Sequence, residues 1–344
     1  MKPHKYLISI IALLLLSILT AGLQGVNAQP TVWTVSPSGP SDYHSIGPAF
    51  KAAAPGDIIL VAAGVYLESL TVNKSITIIG ENPKTTFIRG SNQNGAALNI
   101  TADNVIVCNF SIRNLAQNTP ALTIFHTSNV TIANNTITNS PIGITLYGAS
   151  TSTIANNTLT ANTYALLTDS YTHNNTLYQN CIINNTLGLS LGSSYQNIFY
   201  HNNFINNTAI VSGGLHNDWD NGYPDGGNFW SNFVGTDQFF GVGQNISGKD
   251  GIADTQYTLA VNNTDRYPLM HPYYGIAGDL NKDNAVNFDD ILYFVSGFSS
   301  YWSTYTILPQ YRVCDMDGDG LINIADLLRF SSAFVAYNKS LIPN

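Results

Sequence analysis

The chain has 344 residues, only 10% of them charged, and a formal net charge of −8 at pH 7. A nucleic-acid partner is not expected at this charge, because phosphate backbones are bound by basic surfaces. Its three cysteines, Cys108, Cys181 and Cys314, are too few and too widely spaced for a disulfide framework or a zinc site.

Residues 1–28 have the pattern of a secretory signal peptide. Lys2 and Lys5 precede an apolar run over residues 7–19, and Ala28 ends a small-residue cleavage sequence. The run is short for a membrane span, and no later stretch is apolar enough to cross a bilayer. We expect this segment to be removed, leaving a secreted or cell-surface chain without a transmembrane segment. An uncleaved anchor is the alternative.

Residues 29–90 predict the start of a β-rich domain together with one helix. The helical pattern covers residues 45–54, with Ser45 or Asp42 near its start, and Pro55 follows it. We expect this helix to cap the first turn of the domain, which otherwise exposes core and unpaired strand edge. The run AFKAAAPGDIILVAAGVYLESLTVNKSITIIGEN resembles the opening of pectin-lyase-like proteins, and the resemblance implies a right-handed parallel β-helix.

Residues 129–212 repeat with a period of about 22 residues, which is typical of a solenoid. Each unit combines short runs of alternating polarity, rich in Val, Ile and Thr, with an Asn pair and a turn of small residues. One coil of a parallel β-helix fits this unit, because each short strand pairs with its equivalent one coil on, about 4.8 Å away. A leucine-rich repeat is the alternative, but the helical half of its unit has no counterpart here. The sequence therefore predicts an all-β solenoid over residues 29–213.

Two columns of equivalent positions make the repeat explicit. One column contains Asn135, Asn157, Asn180 and Asn202, and the other contains Leu98, Leu122, Ile144, Leu166, Leu189 and Val211. We predict that the aliphatic column points inward. The asparagines are predicted to serve the structure, because Asn tolerates the left-handed turn conformation and stacked amides bond from coil to coil.

Acceptor sequences for N-linked glycans, Asn-X-Ser/Thr, recur through the chain and include Asn134, Asn156, Asn184 and Asn206. In an exported protein they predict glycosylation at the asparagines that point outward. Several of them also follow directly from a repeat built of Asn and Thr.

The composition changes after residue 213. The run from His216 to Asn232, with later segments GTD, DGIADTQY and DRYPLMHP, resembles the C-terminal signature of NosD-like β-helix proteins of the periplasm and the archaeal surface. We assign residues 214–274 to a C-terminal cap of the β-helix. The family is named after an accessory factor for copper-site maturation, which makes copper handling one alternative function. Copper needs His, Met or Cys ligands, and here Met270 and His271 are far in sequence from His216.

The cap segment concentrates acidic and aromatic residues. The acidic candidates for a functional site are Asp218, Asp237, Asp250 and Asp254. In the favoured interpretation they hold turns while the aromatic residues cover the core. A calcium site on Asp237, Asp250 and Asp254 is a second interpretation, because Ca²⁺ prefers clustered carboxylate oxygens. A sugar-binding face is the third.

The coils themselves are poor in charge. Between residues 91 and 217 the only charged residues are Asp103, Arg113 and Asp169. Polysaccharide hydrolases and lyases need two or three carboxylates, or a carboxylate–Ca²⁺ site with a base. We therefore predict a secreted or surface protein that binds carbohydrate or envelope polymers. The alternative is a polysaccharide hydrolase or lyase whose catalytic candidates are the four cap aspartates.

The tail, residues 275–344, contains two calcium-loop patterns. Side-chain oxygens at loop positions 1, 3, 5, 9 and 12, with a backbone carbonyl at position 7, enclose one Ca²⁺. The first loop supplies Asp279, Asn281, Asp283, Ala285, Asn287 and Asp290, and the second supplies Asp315, Asp317, Asp319, Leu321, Asn323 and Asp326. We predict a small α-helical domain with two calcium ions. Each loop leads into an amphipathic helix, the first with an apolar face of Ile291, Leu292, Val295 and Phe298.

Asp at position 12 and the absence of a helix before the first loop resemble a type I dockerin. That module plugs into a cohesin, so the resemblance implies a cohesin-like or surface scaffold partner. Two departures from the pattern are Asn284, which replaces the turn glycine of the first loop, and an insertion between the loops. Calcium binding is therefore the safer of the two predictions.

Overall fold

The computed structural model describes residues 29–90, 95–248 and 250–273, and in the C-terminal region residues 280, 286, 288–305, 314, 316, 321–324 and 326–331. Within the first three ranges the chain is a parallel β-helix in which three sheets, named A, B and C, run along the solenoid. The predicted parallel solenoid is confirmed. The predicted signal peptide lies outside the described residues.

Each full coil contributes one short strand to each sheet, in the order A, B, C; the strand Val32–Val35 precedes the first full coil, and the strands His216–Asp218 and Phe229–Trp230 follow the last. Sheet A contains β1 (Val32–Val35), β2 (Ile58–Val61), β5 (Thr77–Gly80), β8 (Ile106–Cys108), β11 (Thr131–Ala133), β14 (Thr153–Ala155), β17 (Thr176–Tyr178), β20 (Tyr195–Tyr200) and β23 (His216–Asp218). Sheet B contains β3 (Gly64–Leu67), β6 (Thr86–Arg89), β9 (Ser111–Arg113), β12 (Thr136–Thr138), β15 (Thr158–Thr160), β18 (Cys181–Ile183), β21 (Asn203–Ile205) and β24 (Phe229–Trp230). Sheet C contains β4 (Leu70–Val72), β7 (Leu98–Ile100), β10 (Pro120–Phe125), β13 (Ile142–Tyr147), β16 (Tyr164–Thr168), β19 (Leu187–Ser190) and β22 (Ala209–Ser212).

The predicted aliphatic column is confirmed residue by residue in sheet C. Its six members pair in successive strands, from Leu98 to Val211. The first five are at most 1% exposed. Burying each such side chain stabilises the fold by roughly 1.5–3 kcal/mol, so the stacked columns form the core between the sheets.

Helix α1 (Ile46–Ala52) follows β1 and buries Ile46 and Ala49 in this core. Ser45 occupies the N-cap position, but its side chain makes no capping hydrogen bond. The carboxylate of Glu68 in the first coil accepts the N–H groups of Ile46 and Gly47 instead, at 2.8 and 2.7 Å. Glu68 therefore caps the helix in place of Ser45, and no local sequence pattern indicates this role. Closure of the solenoid end by this helix stays a prediction.

The C-terminal end of α1 is held by Lys74. Its Nζ donates to the carbonyl oxygens of Phe50, Lys51 and Ala53, at 3.0, 3.0 and 2.7 Å. A cation at a helix C-terminus and an anion at its N-terminus both oppose the helix dipole and satisfy free backbone groups. The first coil therefore fixes the helix at both ends.

Buried asparagines connect the coils along the corner between sheets A and B, named corner AB. The backbone N–H and the Nδ2 of Asn135 both donate to Oδ1 of Asn157, at 2.9 and 3.2 Å. The same pair of bonds leads on to Asn180, Asn202 and Asn228. The column satisfies polar groups that water does not reach. Its predicted structural role is confirmed.

Equivalent columns run along the other two corners, named BC and CA. Corner BC contains Asn162, Asn185 and Asn207, and corner CA contains Asn175, Asn197 and Asn217. The residue before most of these buried asparagines takes the left-handed conformation, as Asn134 and Asn156 do with φ 56°. The two roles predicted for one asparagine are therefore divided between neighbours: the first turns the chain and the second bonds the coils.

The cap segment continues sheets A and B with β23 and β24 and then forms two hairpins. The first pairs β25 (Phe239–Phe240) with β26 (Ile246–Ser247), and the second pairs β27 (Tyr257–Ala260) with β28 (Asn263–Asp265). Trp219 and Trp230 are fully buried and stack on Phe199 and Phe204 of the last full coil, at 4.4 and 4.2 Å between ring centroids. The predicted covering of the core by aromatic residues is confirmed.

The tail has a small hydrophobic core of its own, which contains Leu280, Phe294, Cys314, Ile322 and Phe330. Helix α2 (Phe288–Thr304) places Phe294 against Phe330, with ring centroids 5.5 Å apart. Leu292 and Val295 of the predicted apolar face are 49% and 56% exposed, whereas Phe294 of the same helix is buried. None of the helices within the described residues has the length and apolarity that a bilayer crossing requires.

Candidate functional site

The asparagine column of corner AB ends on a carboxylate. Oδ2 of Asp265 accepts the N–H of Asn228 at 2.8 Å, its Nδ2 at 3.4 Å and Nε1 of Trp230 at 2.8 Å. Oδ1 accepts the N–H of Tyr267 at 3.1 Å. Every amide of the column turns its nitrogen toward this end, so a carboxylate fits because it accepts without offering a donor. Sequence reasoning missed this residue.

Burial dominates the electrostatics of Asp265. The side chain is fully buried, and this raises its pKa from 3.8 to about 7. Hydrogen bonds from Asn228, Trp230 and Tyr267 act in the opposite direction, because they stabilise the charged form. The resulting carboxyl group titrates near neutral pH inside the cap.

An ion pair fixes the segment that follows. Nη2 and Nε of Arg266 bind Oδ1 and Oδ2 of Asp220, at 2.6 and 2.9 Å. The Asp220 side chain is 2% exposed and the Arg266 side chain 62%, so the guanidinium is also presented to solvent. Hydrogen bonding to Asp220 raises the pKa of Arg266. The DRYP segment of the family signature was the signal that could have identified this pair.

Three of the four candidate aspartates hold turns of the cap. Asp237 accepts the N–H of Asp250 and Gly251, at 3.2 and 2.9 Å. Asp250 accepts the N–H of Ile252 at 3.0 Å. Oxygens of Asp254 accept from Thr236 Oγ1 and from the N–H groups of Gln238 and Phe239. These three carboxylates thus stabilise the turns of the cap by accepting hydrogen bonds from its backbone.

Asp218 is placed apart from these three, exposed on β23, where it pairs with Ile198 of β20. In the described part of the chain, no three His, Cys, Asp or Glu side chains gather so that they could hold a metal ion. The interpretation of the cap aspartates as a calcium site therefore receives no support.

A cleft of about 430 Å³ opens between the two hairpins. Among its lining residues are Val242, Gln244, Asp254, Gln256, Arg266 and Tyr267. The guanidinium of Arg266 lies 5.6 Å from the centre of the Tyr267 ring, and the Tyr267 hydroxyl donates to the Val242 carbonyl at 3.1 Å. One aromatic ring, two amides, a cation and a carboxylate therefore meet in one concave surface. Asp254 is the only sequence candidate among the lining residues.

A second cleft, of about 670 Å³, lies beside α1 and is lined by Phe50, Leu67 and Leu70 with Glu68 and Lys74. The last two side chains hold the ends of α1. These charged groups are bonded within the protein, as are Arg266 and Asp254 in the cap cleft.

Two predicted calcium ligands in the tail are equivalent in their contacts. Oδ1 of Asp290 accepts the N–H of Leu280, and Oδ1 of Asp326 accepts the N–H of Met316, both at 2.7 Å. Oδ2 of Asp326 also accepts the N–H of Asn323 at 2.8 Å. In each loop the buried carboxylate of position 12 therefore binds the backbone of position 2.

Leu321 is 45% exposed, and with Asn323 it completes the predicted ligands that the structure describes. The predicted ligands that lie outside the described residues are Asp279, Asn281, Asp283, Ala285, Asn287, Asp315, Asp317 and Asp319. Calcium binding stays a prediction.

These features define a parallel β-helix protein whose coils are bonded by asparagine columns and whose last coil is closed by an acidic and aromatic cap. Residues 54–235, more than half of the chain, match the family described as periplasmic copper-binding protein (NosD). The chain belongs to this family. No curated protein matches the sequence.

Several solved structures are similar in part. Pectin methylesterase from carrot is 15% identical, with 55% of this chain and 65% of that chain covered and a TM-score of 0.34. Pectin methylesterase from Aspergillus niger is 16% identical, with 55% and 69% covered and a TM-score of 0.35. Alginate lyase from a Paenibacillus species is 13% identical, with 53% and 93% covered and a TM-score of 0.27. The chain thus spans just under two thirds of the carrot enzyme.

Copper is the metal that the family description implies, and its protein ligands are His, Met and Cys. His201 is committed elsewhere: its ring stacks on Tyr273 at 3.9 Å, and Nε2 bonds the Asp225 carbonyl at 2.6 Å. Burial raises the pKa of the Cys108 thiol to about 12, which disfavours the thiolate that binds metals. His201 and Cys108 are thus poor copper ligands, and within the described residues no three His, Cys, Asp or Glu side chains gather to hold a metal ion; copper handling stays an alternative function.

Proposed function

We propose that this chain is an extracytoplasmic carbohydrate-binding protein that holds a sugar in the cap cleft without cleaving it. The observation that carries the proposal is the convergence of the Tyr267 ring with Gln244, Gln256, Arg266 and Asp254 around one cleft. A pyranose offers an apolar face to an aromatic ring and hydroxyl groups to amides, guanidinium and carboxylate. The cleft supplies both kinds of contact.

The arrangement favours binding over cleavage. Hydrolysis of a glycosidic bond needs two carboxyl groups facing the bond, one of them free to give up a proton. Both oxygens of Asp254 accept hydrogen bonds from the hairpin backbone, and Asp237 and Asp250 are engaged in the same way. A polysaccharide hydrolase or lyase with its site in residues 218–254 is therefore the less supported function.

The test uses the full mature chain and a panel of soluble polysaccharides, with calorimetry for binding and a reducing-end assay for cleavage. Tyr267→Ala and Gln256→Ala should each weaken binding about tenfold, which corresponds to about 1.4 kcal/mol. Tyr164→Ala is the matched control, because Tyr164 is 36% exposed on sheet C, away from the cleft. Release of new reducing ends would show an enzyme instead. Unchanged affinity in both cleft variants would remove the cleft as the site.

We propose further that the tail binds two calcium ions and attaches the protein to a cohesin-like scaffold. The equivalent contacts of Asp290 and Asp326 support the first part, because position 12 binds the backbone N–H of position 2 in both halves. An exposed apolar stripe along α2 supports the second. Its members are Phe288, Leu292, Val295, Phe298 and Trp302, which are 37–65% exposed.

The attachment is tested by calcium-dependent co-sedimentation with a cohesin-bearing protein encoded in the same genome. Val295→Asp, which places a charge in the stripe, should abolish co-sedimentation, whereas Ser296→Asp on the neighbouring face should not. Equal binding by both variants would contradict the proposed surface.

Export is the remaining part of the proposal, and the periplasmic description of the family supports it. Mass spectrometry of the protein from its native host should find a mature N-terminus at Gln29. A chain that starts at Met1 would contradict cleavage.

A further inference from the structure

One corner of the solenoid carries an exposed aromatic side chain in each of four successive coils. At corner CA these are Phe125, Tyr147, Tyr171 and Tyr195, with exposures of 45, 40, 70 and 37%. In the described part of residues 29–213 only one other large aromatic side chain is as exposed, Tyr164 at the start of β16. Exposed rings are thus concentrated on a single corner, one in each coil.

The four rings form a diagonal track across this corner. Phe125 and Tyr147 are paired at the ends of β10 and β13, with ring centroids 6.5 Å apart. Tyr195 lies at the start of β20, where it stacks on His173 of the preceding coil at 5.3 Å. Tyr171 lies in the turn between these two positions. The track therefore passes from the end of sheet C to the start of sheet A.

Asp169 holds the turn that presents Tyr171. Its Oδ1 accepts the N–H of Gly148 at 3.0 Å, the N–H of Tyr171 at 3.2 Å and the hydroxyl of Thr172 at 2.7 Å. Asp169 follows Tyr147 by one coil in the same column, so a carboxylate borders the rings. Aromatic rings beside a carboxylate suit a sugar, which stacks its apolar face and donates its hydroxyl groups.

The stretch of chain that carries the track offers no Lys or Arg side chain that could bind an acidic sugar. The chain has no Lys or Arg between residues 114 and 248. The carboxylate of Asp103 also belongs to this corner, where Oδ1 accepts the N–H of Ser128 at 2.7 Å. In the stretch of chain that carries the four rings, an acidic polymer meets the carboxylate of Asp169 and no Lys or Arg, whereas an uncharged polymer meets rings and hydrogen-bond acceptors.

We infer that the aromatic track binds an extended, uncharged polysaccharide along the solenoid axis. The coil repeat of about 4.8 Å is close to the length of one sugar unit. Four rings on four coils would therefore contact about four successive sugar units. The inference rests on the proposed function in taking carbohydrate as the ligand. It assigns a second binding surface, which shares no residue with the cap cleft. This surface prefers uncharged polymers and chains of about four or more sugar units.

The experiment measures binding of the full mature chain to xyloglucan, to its defined oligosaccharides and to polygalacturonate. Tyr147→Ala and Tyr171→Ala should each lower the affinity for xyloglucan about tenfold, and the double variant by more. Tyr164→Ala, the matched control, should leave it unchanged, and all variants should keep the wild-type melting temperature. Oligosaccharides of four or more backbone units should bind more tightly than those of two, and polygalacturonate should bind most weakly.

The outcomes separate this inference from the proposed function. Loss of xyloglucan binding in the track variants, with full binding in Tyr267→Ala, would support the track and remove the cleft. Loss in Tyr267→Ala alone would overturn the track and leave the cleft. Preference for polygalacturonate, or no gain between two and four backbone units, would overturn the track. No binding of any polymer by the wild-type chain would overturn both.

Discussion

The asparagine column of corner AB makes a quantitative prediction about one buried side chain. Oδ1 of Asn157 accepts two hydrogen bonds from Asn135, and its Nδ2 donates to Ile132, Ala155 and Asn180. Asn157→Ala removes all five contacts. It leaves the backbone N–H of Asn135 without its partner in a place where water does not reach.

The expected cost follows from these contacts. A buried donor without a partner costs roughly 1–3 kcal/mol, and each remaining lost bond contributes about 0.5–1.5 kcal/mol at most. Several of the other groups keep a second partner: Asn135 Nδ2 still donates to the Val107 carbonyl, and the Ala155 carbonyl still accepts from the N–H of Asn134. We therefore expect Asn157→Ala to lower the free energy of unfolding by about 4 kcal/mol.

The neighbouring residue provides a matched control. Asn156 is exposed and has φ 56°, a conformation that glycine adopts without strain. Asn156→Gly should change the free energy of unfolding by less than about 0.5 kcal/mol. Urea unfolding followed by circular dichroism measures both variants. If Asn157→Ala costs no more free energy of unfolding than Asn156→Gly, the column does not hold the coils together.

Three further predictions concern the two ends of the solenoid and the tail. Because burial raises the pKa of Asp265 to about 7, the folded state binds this proton more tightly than the unfolded chain. The free energy of unfolding should therefore fall by about 4 kcal/mol between pH 4 and 7 and level off above pH 7. Asp265→Asn should remove this pH dependence. Lys74→Met should cost about 1–2 kcal/mol, because three carbonyl groups of α1 lose their donor. Calorimetry on the full-length chain should show two calcium sites, and Asp315→Ala should remove the tighter one, because the second loop keeps Gly320 at the turn where the first has Asn284.

Each of these has its own control. Lys84→Met, at an exposed lysine, should leave stability unchanged, and an equal loss in both lysine variants would contradict the role of Lys74. An unchanged pH slope in Asp265→Asn would assign the dependence to another group. A single calcium site, or loss of the tighter site through Asp279→Ala, would contradict the order of the two loops.

The repeat was predictable because one physical constraint recurs in every coil. Leu122, Ile144 and Leu166 had to be apolar at equal spacing, since each packs on the next, and the alignment of the sequence found them all. The columns of corners BC and CA follow the same logic but were missed. In both columns the first side chain that accepts a hydrogen bond from the preceding coil is a serine, Ser140 at corner BC and Ser152 at corner CA. Asparagine accepts the equivalent hydrogen bonds in later coils.

The cap was not predictable in the same way, because no period crosses it. Asp265 meets Asn228 across 37 residues, and nothing local distinguishes it from the aspartates that hold turns. In the tail, α2 has apolar residues on two faces, and contacts with distant residues such as the stack of Phe294 on Phe330 decide which face is buried. Long-range partners set these choices, so a local pattern could not.

The ends of the asparagine columns have a consequence for how such a chain changes length over evolutionary time. Every rung accepts from the coil before it and donates to the coil after it, so any rung fits between any two others. From Asn135 to Asn202 consecutive rungs at corner AB lie 22 or 23 residues apart in sequence, and Asn228 follows 26 residues later. Duplication of one such unit would add a rung at each corner and leave both α1 and the Asp265 terminus with their present partners. Coil number can therefore vary by gene duplication without redesign of either end.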